Sequence, residues 1–304
     1  MIKLLFFVCI YQILNPAALY PQNRDINTHQ KLVLNIKYGF SKKGTITSEW
    51  LKAIRYLRNK QNLSVNDFDK RKPTNEESVW IDLIKSKILE WTCSIDSLEM
   101  PFKEITPPDE VTILLGNQGG EDAFISNDST ICFDLHKLYR IYGSASEKVN
   151  RRRINRFFAH EFTHILHRVW KKKNKIKLIS PLDCALWECL TEGLGNYRSL
   201  SEKWLMNNGE LTKHAKEVLN HLQPIFVHRI SLLKHADNEE AEKLMQGLSM
   251  GQFEKKWGAL TVALWLSQEA KRNEVELQKW IDAGPHGILS LARKYLPEEL
   301  RKKL

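Results

Sequence analysis

His160-Glu161-Phe162-Thr163-His164, HEFTH, lies inside residues 150–172, where Ile154, Phe157, Phe158, Phe162, Ile165, Leu166 and Val169 recur at three- and four-residue steps. That period predicts a helix. Residues four apart on a helix stack on one face, so His160 and His164 aim two imidazoles at one place. Such a pair is suited to a metal ion, and Glu161, one step round the helix, can reach a water held there. Catalytic zinc takes three protein ligands and keeps a fourth position for water or substrate. The motif supplies two ligands and a general base. The third ligand has to come from elsewhere.

The next helical stretch, residues 181–204, reads PLDCALWECLTEGLGNYRSLSEKW. Glu188 and Glu192 are again four apart, and either completes a set of two His and one Glu. Glu192 opens the run Glu192-Gly193-Leu194-Gly195-Asn196-Tyr197. HEFTH followed by TEGLGNY resembles the gluzincin metallopeptidases, in which the third zinc ligand often lies in a Glu-Gly run on the following helix. The likeness covers residues 157–200. It is similar, more loosely, to secreted bacterial proteins known only as predicted zinc peptidases. The resemblance implies Glu192 as third ligand beside His160 and His164, one Zn2+ per chain, and Glu161 as general base. It implies an α+β, mostly helical, gluzincin-like zincin fold: a small N-terminal sheet, the HExxH active-site helix and a helical C-terminal lobe. It also implies a peptide or protein substrate, paired by its backbone with the outermost strand, and a Tyr or His donor to the oxyanion. Tyr197, Tyr295 and His214, His221, His228 and His235 are candidates for that donor, and the sequence does not choose. Glu188 then reads as a carboxylate near the ligands or in solvent. Asn196 reads either as a group orienting a ligand or as a helix-surface residue. A metzincin pattern needs Gly at position 167 and His at position 170. The chain has His167 and Trp170, so His167 reads as a neighbour of the site or a surface residue.

The 304 residues, 42% of them apolar and nine of them Trp, are enough for one large domain or two lobes and exclude a disordered chain. The net charge of +10 is spread, with short runs at Arg151–Arg153 and Lys171–Lys173. These runs read as solvated faces; the lysines suit the C-terminal end of the HEFTH helix, whereas the arginines at its start either have a partner or lie before the true N-cap. No nucleic-acid-binding motif is present in the sequence, and no nucleic-acid partner is expected. Residues 1–19 read as a secretory signal: Lys3, an apolar core over residues 4–14, then Ala17 and Ala18. No later stretch is apolar enough to span a membrane. Of five cysteines, Cys9 lies in that core, which leaves Cys93, Cys132, Cys184 and Cys189 with no pairing dictated by sequence. Cys184 and Cys189 read as buried apolar residues.

Four segments follow: the signal over 1–19, a mainly helical region over 20–106, the zincin core over 107–200 and the helical lobe over 201–304. Residues 32–36 read as a strand or an extended lead-in. Thr47 or Ser48 caps a helix over 48–60, and the capping box Thr74-x-x-Glu77 opens another to about residue 91. Strands are expected at 111–115, 123–126 and 130–133, with Asp122-Ala123-Phe124-Ile125 as the substrate-facing edge or an internal strand. The turn Gly116–Gly120 matches no phosphate loop. Helices are expected over 211–233, 239–248, 253–272, 275–283 and 286–295, with a kink or break at Pro224 and close packing at Gly258. The chain thus reads as a secreted or periplasmic zinc-dependent peptidase. The rivals are a non-catalytic secreted protein that keeps the fold to bind peptide or polyanion, or a basic protein whose binding is strongly salt-dependent.

Overall fold

Short β-rich runs with alternating apolar residues build one four-stranded sheet: β1 (Val33–Tyr38), β2 (Glu110–Gly116), β3 (Ala123–Asn127) and β4 (Thr130–Asp134), in the order β1-β2-β4-β3. The structure, a computed structural model, describes residues 32–271 and 273–304. The expected signal, residues 1–19, lies outside them. β1, β2 and β4 are mutually parallel, and β3 runs antiparallel to β4 at one edge. The run at 32–36 is therefore a paired strand, and Ala123, Phe124 and Ile125 lie on an edge strand. Successive side chains alternate between the faces. Val111, Ile113, Leu115, Ile131 and Phe133 enter the main core. Leu114, Phe124 and Cys132 meet Trp50, Leu51 and Ile54 of α1 (Ser48–Arg58) on the other face. Gly116 makes that contact close, because a Cβ there would fall 2.2 Å from the Trp50 ring. The turn after it is closed by the chain's own anion: Gly119 and Gly120 N–H donate to the Asp134 carboxylate at 2.5 and 3.1 Å.

The capping box at Thr74 and Glu77 forms as read and starts α2 (Asn75–Glu99). This helix runs past residue 91 because Trp91, Ile95 and Leu98 continue its buried stripe. α3 (Leu135–Tyr142) is capped by Asp134, and α4 (Lys148–Lys173) carries HEFTH. Trp91 clamps α2 to α4 by stacking on Phe158 at 4.5 Å and donating to Asn155 Oδ1 at 2.9 Å. The arginines near the start of α4 do have partners: Arg152 lies 3.5 Å from Glu202, and Arg153 lies over the Tyr142 ring. α5 (Pro181–Ser199) begins with a Ser180–Asp183 capping box and Pro181 in its first turn.

Beyond α5 the chain is helical: α6 (Lys213–Leu233), α7 (Asn238–Met245), α8 (Ala259–Ala270), α9 (Gln278–Asp282) and α10 (Gly284–Tyr295). One expectation is narrowed and one corrected. Of the kink or break expected at Pro224, there is no break: α6 continues through it. Pro224 and Asn220, whose carbonyl the proline leaves without its helical N–H, are both exposed, so water can serve that carbonyl. The helix expected over 253–272 is a 3-10 turn, Phe253–Lys255, followed by α8. Gly258 lies between them, where a Cβ would meet Leu248 at 2.7 Å and Cys189 Sγ at 2.8 Å. Gly193 likewise meets Val262 at 2.5 Å. Contacts 189–258 and 193–262 advance together, so α5 and α8 run side by side in the same direction. α8 is buried on nearly all sides and forms the centre of the lobe. The architecture is α+β and mostly helical, and residues 32–304 form one unit. All four cysteines among the described residues are free; Cys132 and Cys189 are buried, whereas Cys184, expected inside, is exposed. His221, His228 and His235 are exposed, as a polar face requires. No helix among the described residues is long and apolar enough to cross a membrane.

Glu269, on α8, pins the C-terminal helices. Its side chain is 2% exposed and accepts from Trp280 Nε1 (3.0 Å), the Tyr295 hydroxyl (2.5 Å) and Lys294, with Lys279 Nζ at 2.9 Å. Burial alone would raise its pKa, but the bonds from Lys294, Tyr295, Lys279 and Trp280 prevail and hold it at about 2, against an ordinary 4.5. A lowered folded-state pKa gives stability that is present above the unfolded value and lost as pH falls toward the folded one. Relative to Glu269→Gln, the wild type is expected to lose roughly 3 kcal/mol of its advantage between about pH 5 and pH 2. Urea unfolding of both proteins across that range measures it, and a pH-independent difference would remove Glu269 from this role.

Candidate metal centre

α4 and α5 pack against each other over the short connection at residues 174–180. Their helical periods do the positioning. His160 and His164 stack on one face of α4 with ring centroids 4.7 Å apart. Glu192 faces both from α5, with Oε2 3.6 Å from His160 Nε2 and Oε1 3.4 Å from His164 Nε2. One ligand atom from each of the three residues falls within 4.8 Å of the others. Glu188 is not among them. It turns away to accept a hydrogen bond from Ser249.

Gly195 explains why α5 can come this close. A Cβ at that position would lie 2.9 Å from His160 Cε1 and 3.0 Å from Nε2. The imidazole therefore lies flat on bare helix backbone. Ser199, two turns beyond Glu192, holds the other side of the ring, with Oγ 3.2 Å from His160 Nδ1. With Nδ1 engaged by that hydroxyl, Nε2 is the ring nitrogen that faces Glu192. Arg198 fastens the two helices. It is 3% exposed, and it donates to Thr163 Oγ1 at 2.6 Å, to the Leu98 carbonyl at 2.6 Å and to Glu274 at 3.1 Å. Thr163 stands between the two histidines in HEFTH and donates back to the Ala159 carbonyl.

Charge in the site is set by burial and by these neighbours. Burial would push the Glu192 carboxyl up, but His164 and His160 outweigh it and hold it at about 2. Burial lowers His164 to about 4, so it is a neutral imidazole near pH 7, the form that ligates a metal. Burial also acts to lower His160, but Glu192 and Glu161 prevail and raise it. Glu161 is 8% exposed, and burial pushes it up to about 7. The donors fit a small divalent ion. Separations of 3.4 and 3.6 Å are long for a strong ionic hydrogen bond. They are close to the ~3.3 Å between two atoms each bound about 2.0–2.1 Å from one tetrahedral zinc.

The other residues singled out in the sequence fall as follows. His167 is core, 1% exposed and edge-on to Phe102 and Trp187. Asn196 is 1% exposed, so it is not a surface residue; the bond that orients His160 comes from Ser199. Tyr295 is committed to Glu269, and His214 sits against Trp204 and 3.4 Å from Glu254. Sequence reading passed over Ser199, Gly195 and Arg198. A signal for Ser199 exists, because a residue seven after Glu192 returns to the same helix face. Compared with known proteins, the chain matches no family model, no curated protein and no solved structure.

Proposed function

We propose that the protein is a zinc-dependent peptidase of gluzincin type, acting outside the cytoplasm. The observation that carries this reading is the meeting of His160, His164 and Glu192 within 4.8 Å, with Glu161 buried beside them. The edge position of β3, antiparallel to its neighbour and packed near α4, supports it, because an extended peptide can add to that edge by backbone hydrogen bonds. His160, His164 and Glu192 would hold the ion. Zinc, when bound, supplies a Lewis acid that polarises a carbonyl and acidifies water. Glu161 moves the proton. Its carboxylate takes one from the attacking water and returns it to the leaving amine nitrogen. Ser199 and Gly195 keep His160 oriented, and Arg198 keeps the two helices in register. The localisation rests on the signal read at residues 1–19.

Metal content by mass spectrometry tests the reading on the purified chain beside Glu192→Ala and Glu188→Ala. About one zinc per chain is expected in the wild type and in Glu188→Ala, and none in Glu192→Ala. Zinc lost only from Glu188→Ala would move the third ligand one turn earlier. No zinc in the wild type, after growth with ample metal, would overturn the peptidase and leave a binding protein.

A further inference from the structure

Arg168 has no part in the chemistry described so far. It stands one turn beyond His164 on α4, and residues four apart share a helix face, with Cβ atoms about 5–6 Å apart. Side chains on a helix lean toward its N-terminus, so the Arg168 stem leans back toward His164. Its guanidinium then reaches another layer of the fold. Nη2 donates to the Tyr56 hydroxyl at 2.6 Å, and the group lies 5.4 Å from the centre of the Tyr56 ring. Tyr56 belongs to α1, which packs with Phe124 and Cys132 on one face of the sheet, whereas α4 packs with Ile125, Ile131 and Phe133 on the other. The contact therefore passes beside the sheet. Asp128, directly after β3, locates the crossing, with Oδ1 3.8 Å from Arg168 Nη1. Arg168 and Tyr56 thus close across the end of the outer strand. At the other end of that strand, Tyr142 donates to Asp122, the residue before β3, and its ring lies 5.5 Å from that of Phe157 on α4. β3 therefore runs along α4 from Phe157 toward Arg168, past His160 and His164. A guanidinium carries five N–H donors. Among the described residues its only hydrogen bond is the one to Tyr56. The Asp128 carboxylate is 69% exposed and, at 3.8 Å, too far for a hydrogen bond, so this ion pair is loose and screened by water.

We propose that Arg168 sets substrate preference by binding a carboxylate of the peptide. The proposal rests on the peptidase reading. A peptide added to the free edge of β3 passes His160 and His164 and meets the guanidinium at the end of its track. One helix turn is about 5.4 Å, roughly two residues of extended chain, so the carboxylate belongs about two or three residues from the scissile bond. Arginine suits this task because its planar fork takes a carboxylate through two parallel hydrogen bonds. The bond to Tyr56 already holds the fork in place, which lowers the entropy lost on binding. The carboxylate is an Asp or Glu side chain or the peptide's own C-terminus; both present the same two oxygens.

The test compares zinc-loaded wild type, Arg168→Gln, Arg168→Glu and Asp128→Asn on matched peptides that share one cleaved bond. In the first pairs Glu replaces Gln two or three residues from that bond, on either side of it. In the second the chain ends at that distance as a free acid or as an amide. The readout is the ratio of kcat/KM for the charged member over the neutral one, which cancels any general loss of activity. A ratio of at least about ten is expected for the wild type in one kind of pair. The Glu pair giving it would make an internal acidic residue the ligand, and the free-acid pair would make it the chain terminus. Arg168→Gln should bring that ratio to about one, and Arg168→Glu should bring it below one. Asp128→Asn removes a competing carboxylate and should hold or raise it. A wild-type ratio near one in every pair, or a ratio preserved in Arg168→Gln, would overturn the proposal and leave the peptidase standing, with the Arg168–Tyr56 bridge only a brace. A wild type that takes up no zinc and cuts none of the peptides would remove the peptidase reading and this inference together.

Discussion

Glu161→Gln is expected to keep about one zinc per chain and to cut peptides on the order of a thousandfold more slowly than the wild type. Gln has the shape of Glu and cannot accept a proton, so the variant removes the base and little else. Positioned general acid–base groups contribute about 10²- to 10⁴-fold. Glu161 has the surroundings such a group needs. It is 8% exposed, in a site whose burial raises its pKa to about 7, and it follows directly on His160. The measurement is kcat/KM on the best peptide from a library screen, with metal content determined on the same preparations. Activity within about tenfold of wild type at full zinc occupancy would remove Glu161 from the mechanism. Loss of zinc in the variant would show that the carboxylate supports the ligands instead.

Arg198→Met is expected to destabilise the zinc-free protein by about 3 kcal/mol, the lower end of what breaking a buried ion pair from one side costs. The guanidinium is 3% exposed and its partner Glu274 19%. Its removal strands a carboxylate, the Leu98 carbonyl and one bond to Thr163, from three parts of the fold. For a chain of this size that corresponds to a fall in Tm of roughly 6–12 °C. Excess zinc should restore part of it, because ligand that binds only the folded state shifts the equilibrium by mass action. A double variant, Arg198→Met with Glu274→Gln, should recover part of the loss, since the stranded charge is gone. A single-variant change below about 0.5 kcal/mol, within the range of surface substitutions, would mean that the clamp holds nothing.

The metal cluster is legible in the sequence because it depends on helical period alone. His160 and His164 share a face by spacing, and Glu192 is reached by a short connection. The Glu-Gly run and the resemblance it carries single out Glu192 over Glu188 in the sequence; the physical reason is visible only in the packing. The glycines after Glu192 open α5 to Val262 on one side and to the His160 ring on the other, whereas Glu188 is drawn off by Ser249. Sequence shows that glycines stand there and not what they meet. The strands at 111–115, 123–126 and 130–133 are marked by alternation and turns. The run at 32–36 is ambiguous until β2 supplies its partner, seventy-odd residues on. Pro224 does not end its helix because a helix tolerates proline where the freed carbonyl faces water.

The sheet and the metal cluster differ in how far the chain must travel to make them. β1 meets β2 in register from Val33 with Glu110 onward, across a span holding two helices. The three residues of the cluster all lie between residues 160 and 192, on consecutive helices. Closing a long loop takes more entropy than closing a short one, and non-local parallel pairing is slow. The α4–α5 hairpin is therefore expected to come together first, and the proposed ion, once between its helices, would staple it while the strands are still finding one another. On the proposed reading, the metal would then serve as a folding template as well as a reagent. A chain matured without it would lack the brace around which its slowest contacts form.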